Sequence, residues 1–111
     1  MNMSNFPSAR ELTGTAGNPG NGSYFTFTAT LSEGLLATVK FTSVGCPWSA
    51  LVGISASSMI EGRPLTACSE LTIQAITKLC GQIPRSKEEL PRLACEAIKA
   101  LAVSGTVHGG P

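Results

Sequence analysis

The sequence contains no aspartate, a single histidine at position 108 and only six aromatic residues among 111. Its seven glutamates and eight lysines and arginines leave a formal net charge of +1. A nearly neutral chain lacks the basic surface that binds nucleic acids or anionic membranes. So few aromatic residues also leave little material for a platform on which bases could stack. We therefore expect no nucleic-acid partner.

Long apolar runs are missing as well. No stretch approaches the ~20 apolar residues that span a bilayer, and residues 1–22 lack the apolar core of a secretory signal. We therefore expect a cytoplasmic protein without a membrane partner. The four cysteines form no C-x-x-C pair, and in the cytoplasm they are expected to be free thiols and not a disulfide framework.

The first 23 residues are rich in turn-forming residues, most densely in the run from Asn18 to Gly22. We predict that this segment is a loop. The predicted organisation is a flexible segment at 1–16, a single domain at 17–103 and a flexible tail at 104–111.

Two segments with alternating apolar residues follow, at 24–31 and 35–42, on either side of Ser32-Glu33-Gly34. A period of two with β-branched and aromatic residues around a glycine turn predicts an antiparallel hairpin with one apolar face. In this prediction Leu36 lies on the opposite, polar face. The predicted inward residues are Phe25, Phe27, Ala29, Leu31, Ala37, Val39 and Phe41.

The remainder has the period of helices. We predict helices at 47–61, ended by Gly62; at 71–80, ended by Gly81; and at 86–103, with Pro91 in the first turn. The apolar residues of the first are Trp48, Leu51, Val52, Ala56, Met59 and Ile60. Those of the second are Ile73, Ile76, Leu79 and Cys80, and those of the third are Leu90, Leu93, Ala94, Ala97, Ile98 and Leu101.

The predicted order, a hairpin followed by helices, indicates the α+β class. A hairpin alone is barely stable in water, so helices must cover its apolar face. We therefore predict a two-layer domain in which a small antiparallel sheet packs against about three helices.

Three stretches then stand in a characteristic order: the glycine-rich run at 17–23, the Gly45-Cys46-Pro47 turn that ends the hairpin, and the run from Ile83 to Leu101. Together they resemble the IscU/NifU N-terminal family of iron–sulfur cluster assembly scaffolds, over residues 17–101. The resemblance implies that family's α+β fold and a role in cluster assembly. It also implies an iron–sulfur cluster or a metal ion as ligand, and a cysteine desulfurase or a chaperone as partner.

The resemblance also assigns site residues. The family takes its cluster ligands from three loops, and Cys46 matches the second of its three cysteines. The first cysteine falls on Asn21 and the aspartate near it on Ser23, while a His-Cys pair at the start of the last helix falls on Glu89 and Leu90. Iron–sulfur clusters are held by several thiolates, so only Cys46 and Glu89 remain as candidate ligands.

Pro84 and Lys87 match the family's chaperone-recognition segment, whereas Arg85 and Ser86 between them depart from it. We therefore predict that Pro84 and Lys87 bind a partner.

The remaining titratable residues have simpler interpretations. Cys80 shares an apolar row and is expected to be a buried thiol, Cys95 lies off the stripe of the last helix, and Cys68 lies in a connecting segment. His108 lies in the predicted tail. No nucleophile–base pair can be assembled from these residues, so we expect no enzyme.

Three roles stay open for Cys46: persulfide acceptance, metal binding between the subunits of a homo-oligomer, and redox sensing. A different reading is a regulatory or binding module on the same fold without metal chemistry. A small thiol enzyme is the third alternative.

Overall fold

A computed structural model describes residues 10–17, 24–45, 47–81 and 83–108, with side chains as far as residue 104. None of the helices in these ranges is both long and apolar enough to cross a bilayer. The α+β architecture confirms the predicted fold class. Its elements are β1 (Arg10–Gly17), β2 (Tyr24–Ser32), β3 (Leu35–Val44), α1 (Pro47–Ile60), α2 (Ala67–Glu70), α3 (Ile73–Cys80) and α4 (Glu89–His108), with a 3₁₀ turn at Arg85–Lys87.

The sheet is antiparallel with the strand order β1-β2-β3. β2 and β3 form the predicted hairpin. Glu33 and Gly34 have φ values of 56° and 81°, and a positive φ at both central residues is typical of the type I′ turns that match the twist of a hairpin. The predicted inward residues of β2, Phe25, Phe27, Ala29 and Leu31, are all buried.

The prediction of which β3 side chains are buried is wrong at the start of the strand. The pairing moves from Thr30–Thr38 to Leu31–Leu36, which leaves Ala37 as an extra residue on β3. Such a β-bulge shifts the alternation of side chains by one position. Leu36 is therefore fully buried and Ala37 is exposed, the reverse of the prediction.

Residues 10–17, which we predicted as loop, form β1 and pair with β2 along the whole strand. Residues 10–16 of the predicted flexible segment are therefore part of the sheet. Leu12 and Gly14 are buried beneath α4. A side-chain carbon at Gly14 would overlap the backbone of Ala97 and Leu101, so glycine permits the close contact of α4 with the strand.

α4 covers β1 and β2 with the predicted apolar stripe, of which only Leu93 is partly exposed. The helix continues to His108, so residues 104–108 of the predicted tail are helical. Cys95, predicted to lie off the stripe, is only 4 % exposed. Its thiol donates to the carbonyl oxygen of Leu71 across 3.7 Å, because the segment around α2 covers this flank of α4.

α1 packs on β3, and the chain that leaves it turns back along the outer edge of that strand. The N–H of Gly62 donates to Leu36 O and the N–H of Leu36 to Arg63 O, both at 2.7 Å. Glu61 Oε2 accepts from the N–H of Val39 at 3.0 Å. Segment 61–64 therefore satisfies the backbone groups of the first half of this edge, which an edge strand otherwise leaves unpaired.

The region between α1 and α4 differs most from the prediction. α2 is a single turn that we did not predict, and α3 begins at Ile73 instead of residue 71. Ile76 is fully buried, but Ile73 and Leu79 are 39 % and 54 % exposed. Cys80 is only partly buried. The inward face of α3 is therefore narrower than the four residues predicted.

Candidate functional site

Three predicted site residues, Asn21, Ser23 and Cys46, lie outside the residues that the structure describes. The described residues that flank them lie together. Tyr24, the first residue of β2, pairs with Val44, the last of β3. The chain therefore enters β2 and leaves β3 at one end of the sheet, which we call the site end.

An open groove lies beside the start of α1. Trp48 is the second residue of α1, two positions after Cys46. Pro84 precedes the 3₁₀ turn that leads into α4. The groove therefore brings the start of α1, next to the predicted ligand Cys46, beside the predicted partner-binding segment at Pro84. The residues that line it are Trp48, Thr77, Gly81, Ile83 and Pro84.

The predicted partner-binding residues form one compact turn. The N–H of Lys87 donates to the carbonyl oxygen of Pro84 across 2.8 Å. Pro84 and the two residues that depart from the family segment, Arg85 and Ser86, are exposed, and Lys87 is partly exposed. A partner could therefore reach all four side chains without unfolding the turn.

The two predicted positions at the start of α4 differ completely in exposure. Glu89 is the first residue of the helix and is exposed, where the positive end of the helix dipole favours a carboxylate. Leu90 is fully buried in the core. A hydrocarbon side chain cannot coordinate a metal, so this position contributes packing and no ligand.

The cysteines around α4 are protected thiols. Cys68 is fully buried, and this burial raises the pKa of its thiol to about 11, although the positive charge of Lys99 acts in the opposite direction. Burial likewise raises the pKa of Cys95, with Lys99 lowering it and Glu96 raising it. The thiolate is the nucleophile and the metal ligand. Both residues therefore stay protonated and unreactive at neutral pH.

No three histidine, cysteine or glutamate side chains in the described ranges lie close enough together to hold a metal ion. The described residues alone therefore do not fit a cluster, which needs several ligands. A complete set of ligands requires groups from other residues or from a second protein.

The sequence did not predict that Trp48 and Ile83 line a common groove. Trp48 was assigned to the apolar stripe of α1, yet it is only partly buried and lines the groove with Ile83. A usable signal was its position in the first turn of the helix, directly after the Gly45-Cys46-Pro47 turn. A tryptophan is large and carries a polar N–H, so its side chain is seldom fully buried.

The chain has an α+β fold in which the start of α1, which follows β3, and the segment at Pro84 line one groove. It matches the family model of the NifU-like N terminal domain over residues 2–105. The chain therefore belongs to the NifU-like N-terminal domain family, which confirms the resemblance inferred from its motifs.

Two curated relatives are similar to it, the iron–sulfur cluster assembly scaffold proteins IscU 1 and IscU 2 of Archaeoglobus fulgidus. Each is 26 % identical over 90 residues, which cover 81 % of this chain and 59 % of the relative. The chain thus spans less than two thirds of the length of these relatives.

Proposed function

We propose that this chain is a divergent, scaffold-like protein of iron–sulfur cluster assembly that offers a single thiol, Cys46, and does not hold a cluster by itself. Family membership and the two scaffold relatives support the first part. The burial of Leu90 supports the second, because a hydrocarbon replaces a ligand there. The cluster is then cargo that is completed with a second protein, and not a resident cofactor.

The start of α1 supports a reactive Cys46. This residue directly precedes Pro47, the first of fourteen helical residues, and the helix contains no charged residue. A helix N-terminus favours an adjacent thiolate, and no acidic residue of α1 opposes this effect. Cys95 has no such position, and Cys68, although it lies in the single turn of α2, is fully buried. Cys46 is thus the thiol best suited to accept sulfur.

The proposed step is a thiol exchange with a persulfide. The Cys46 thiolate attacks the terminal sulfur of a persulfide on the donor, such as a cysteine desulfurase, and a new S–S bond forms on Cys46. The S–S bond of the donor breaks, and its cysteine leaves as a thiolate. No outside oxidant or reductant is needed.

The groove supports a docking role for the neighbouring turn. We propose that Pro84 and Lys87 bind a chaperone or the sulfur donor, with Trp48 as an apolar wall. Glu89, exposed at the start of α4, is the carboxylate that we propose to share a metal ion with Cys46. A cytoplasmic location is part of the same proposal.

The experiment is a sulfur-transfer assay with a cysteine desulfurase and free cysteine, read by intact-protein and peptide mass spectrometry. We expect wild type to gain one sulfur atom on Cys46, Cys46→Ser to gain none, and Cys80→Ser, the matched control at a partly buried thiol, to behave like wild type. Sulfur found equally on Cys80 and Cys46, or absent from wild type, would contradict the proposal.

A second candidate function is a binding module without metal or sulfur chemistry. The observation that favours it is the groove itself, which joins Trp48 and Pro84 while no three-ligand group exists among the described side chains. In this case Cys46→Ser would match wild type in every metal and partner assay, whereas Trp48→Ala and Lys87→Glu would weaken partner binding. Calorimetry with an assembly chaperone distinguishes the two functions.

A further inference from the structure

Two hydroxyl groups of α1, those of Ser49 and Ser57, are buried and have no hydrogen-bond partner among the described residues. Ser49 is the more deeply buried residue, with only 1 % of its surface exposed. Burying a hydroxyl without a partner costs free energy of folding, and folded proteins seldom do so. The hydroxyl of Ser49 is therefore a buried donor that no described group satisfies.

Ser49 also differs from the other serines of the helix in its local bonding. A serine inside a helix commonly donates to the carbonyl oxygen three or four positions before it. Ser58 donates in this way to the carbonyl oxygen of Ser55, at 2.8 Å. The carbonyl four positions before Ser49 belongs to Gly45, which precedes the helix and has a φ of 139°. Because Gly45 does not have the helical conformation, this local acceptor is not available to Ser49.

The hydroxyl of Ser49 lies on the core side of the first turn of α1. Ser49 shares its helix face with Val52, Ala56 and Ile60, which are all buried. The Cα–Cβ bonds of a helix tilt toward its N-terminus, so the side chain of Ser49 leans toward the end that Cys46 precedes. This end follows the last residue of β3 and therefore lies at the site end.

The start of α1 offers further hydrogen-bond donors. The first N–H groups of a helix have no acceptor within it, and Pro47 has no N–H, so those of Trp48, Ser49 and Ala50 remain. The first turn contains no acidic residue. Free N–H groups and the positive end of the helix dipole together favour an anion. Ser49 adds a donor that is shielded from water, where a hydrogen bond is stronger than in solvent.

We propose that the hydroxyl of Ser49 donates a hydrogen bond to the sulfur that Cys46 accepts, and so holds this sulfur as an anion on the core side of α1. This inference rests on the proposed sulfur transfer. The two residues are three positions apart, a spacing that separates Cβ atoms by about 5–6 Å. The new S–S bond extends the cysteine side chain by about 2 Å, which brings its terminal sulfur within reach of the hydroxyl.

Ser49 keeps its proton throughout this step. The persulfide formed on Cys46 gives its own proton to water, and its terminal sulfur then carries one negative charge. A persulfide loses this sulfur when a thiolate attacks it, and a negative sulfur repels the attacking thiolate. Ser49 therefore lengthens the time for which Cys46 carries the sulfur before a partner takes it.

The test measures how long the added sulfur stays on Cys46. The full chain is loaded with glutathione persulfide, separated from it and exposed to glutathione, and peptide mass spectrometry follows the loss of the added sulfur atom. Ser49→Ala should lose it about tenfold faster than wild type, because it removes a hydrogen bond to a charged group. Ser57→Ala is the matched control. It removes the other unpartnered hydroxyl of α1, about 12 Å further along the helix, and should retain sulfur like wild type.

Two variants of equal shape separate the hydroxyl from packing. Ser49→Thr keeps the hydroxyl and should retain sulfur for about as long as wild type, whereas Ser49→Val should lose it as fast as Ser49→Ala. Neither Ser49→Ala nor Ser57→Ala should lower the urea midpoint, because each removes a buried hydroxyl that has no partner.

Equal retention in wild type and Ser49→Ala, or equally fast loss in Ser49→Thr and Ser49→Val, would overturn this inference and leave the proposed function intact. A wild type that takes sulfur from glutathione persulfide but not from a cysteine desulfurase would contradict the proposed function, while the role of Ser49 would still be decided by retention. A wild type that accepts sulfur from neither donor would overturn both.

Discussion

The two halves of this domain differ in how completely they bury their apolar side chains. In the half formed by β1 and α4, the stripe of the helix is almost fully buried, and Val103 is its one large apolar side chain that is exposed within the described residues. The half formed by β3, α1 and α3 exposes more of them, namely Leu35, Val44, Ile54, Ile73 and Leu79.

We propose that the more completely buried half stabilises the domain and that the more exposed half binds partners. Regions with fewer buried contacts open more easily and commonly carry binding sites. The groove at Trp48 and Pro84 lies in the second half. We infer that β1 and α4 supply most of the stability, while the β3–α1–α3 half is left accessible for partners.

The largest expected contrast is between Ile98, which is buried, and Ile54, which is exposed. Ile98→Ala, at a fully buried residue of α4, should lower the free energy of unfolding by about 3 kcal/mol through lost burial and a new cavity. Ile54→Ala, at a side chain of α1 that is 58 % exposed, should cost less than about 1 kcal/mol. Urea unfolding measures both, and equal costs would break the comparison.

Substitutions at two glycines give a second comparison of the two halves. Gly14→Ala would bring its new carbon against the α4 backbone, which cannot give way, and should cost about 2–3 kcal/mol. In Gly53→Ala the three atoms nearest to the new carbon would all belong to the ring of Phe41, which is partly exposed and can move. The better helix propensity of alanine recovers about 1 kcal/mol there. The midpoint temperature of thermal unfolding should therefore be clearly lower for Gly14→Ala than for Gly53→Ala. The opposite order would contradict this account.

Because the thiol of Cys68 is buried, the free energy of unfolding should fall at alkaline pH. Burial raises the pKa in the folded state above its unfolded value, to about 11. Below about pH 9 both states are protonated, and the full stability is present. As the pH rises from about 9 to about 11, the unfolded chain loses its proton first, and stability falls by about 2–3 kcal/mol.

The measurement is the urea midpoint at several pH values. Cys68→Ala should reduce this slope and leave the part that comes from Cys95, whose pKa is also raised by burial. A slope unchanged in Cys68→Ala would show that other groups cause it.

The smallest expected effect concerns the covered edge of β3. Glu61→Ala removes the acceptor of the Val39 N–H and should cost about 1 kcal/mol. Glu96→Ala removes an exposed ion pair with Arg92, 3.8 Å long, and should cost less than about 0.5 kcal/mol. Paired denaturation curves compare the two variants, and a larger loss in Glu96→Ala would contradict the role of Glu61.

Regular patterns in the sequence predicted much of the fold. The hairpin and the stripe of α4 follow from apolar periodicity, since each buries one continuous face. β1 could not be recognised because its inward positions include Gly14 and Ala16, which carry almost no apolar signal. The reason for glycine at position 14 is the contact with α4, and such a contact between distant elements is absent from any local pattern.

Local patterns also failed where one added residue or element changed the packing. The extra residue Ala37 reversed the alternation at the start of β3. The turn of α2 covered Cys95, which the helix period alone placed off the stripe. The family positions at Glu89 and Leu90 could be assigned from motifs, but their contrast in exposure follows from how α4 lies on the sheet.

The most direct test of the central claim is the iron and acid-labile sulfide content, with a visible spectrum, of anaerobically purified wild type and Cys46→Ser. We predict that neither isolated protein holds a cluster, even after reconstitution with iron and sulfide. A stable cluster in the isolated wild-type chain that is lost in Cys46→Ser would contradict the account, because it would show that this chain completes the ligand set without a second protein.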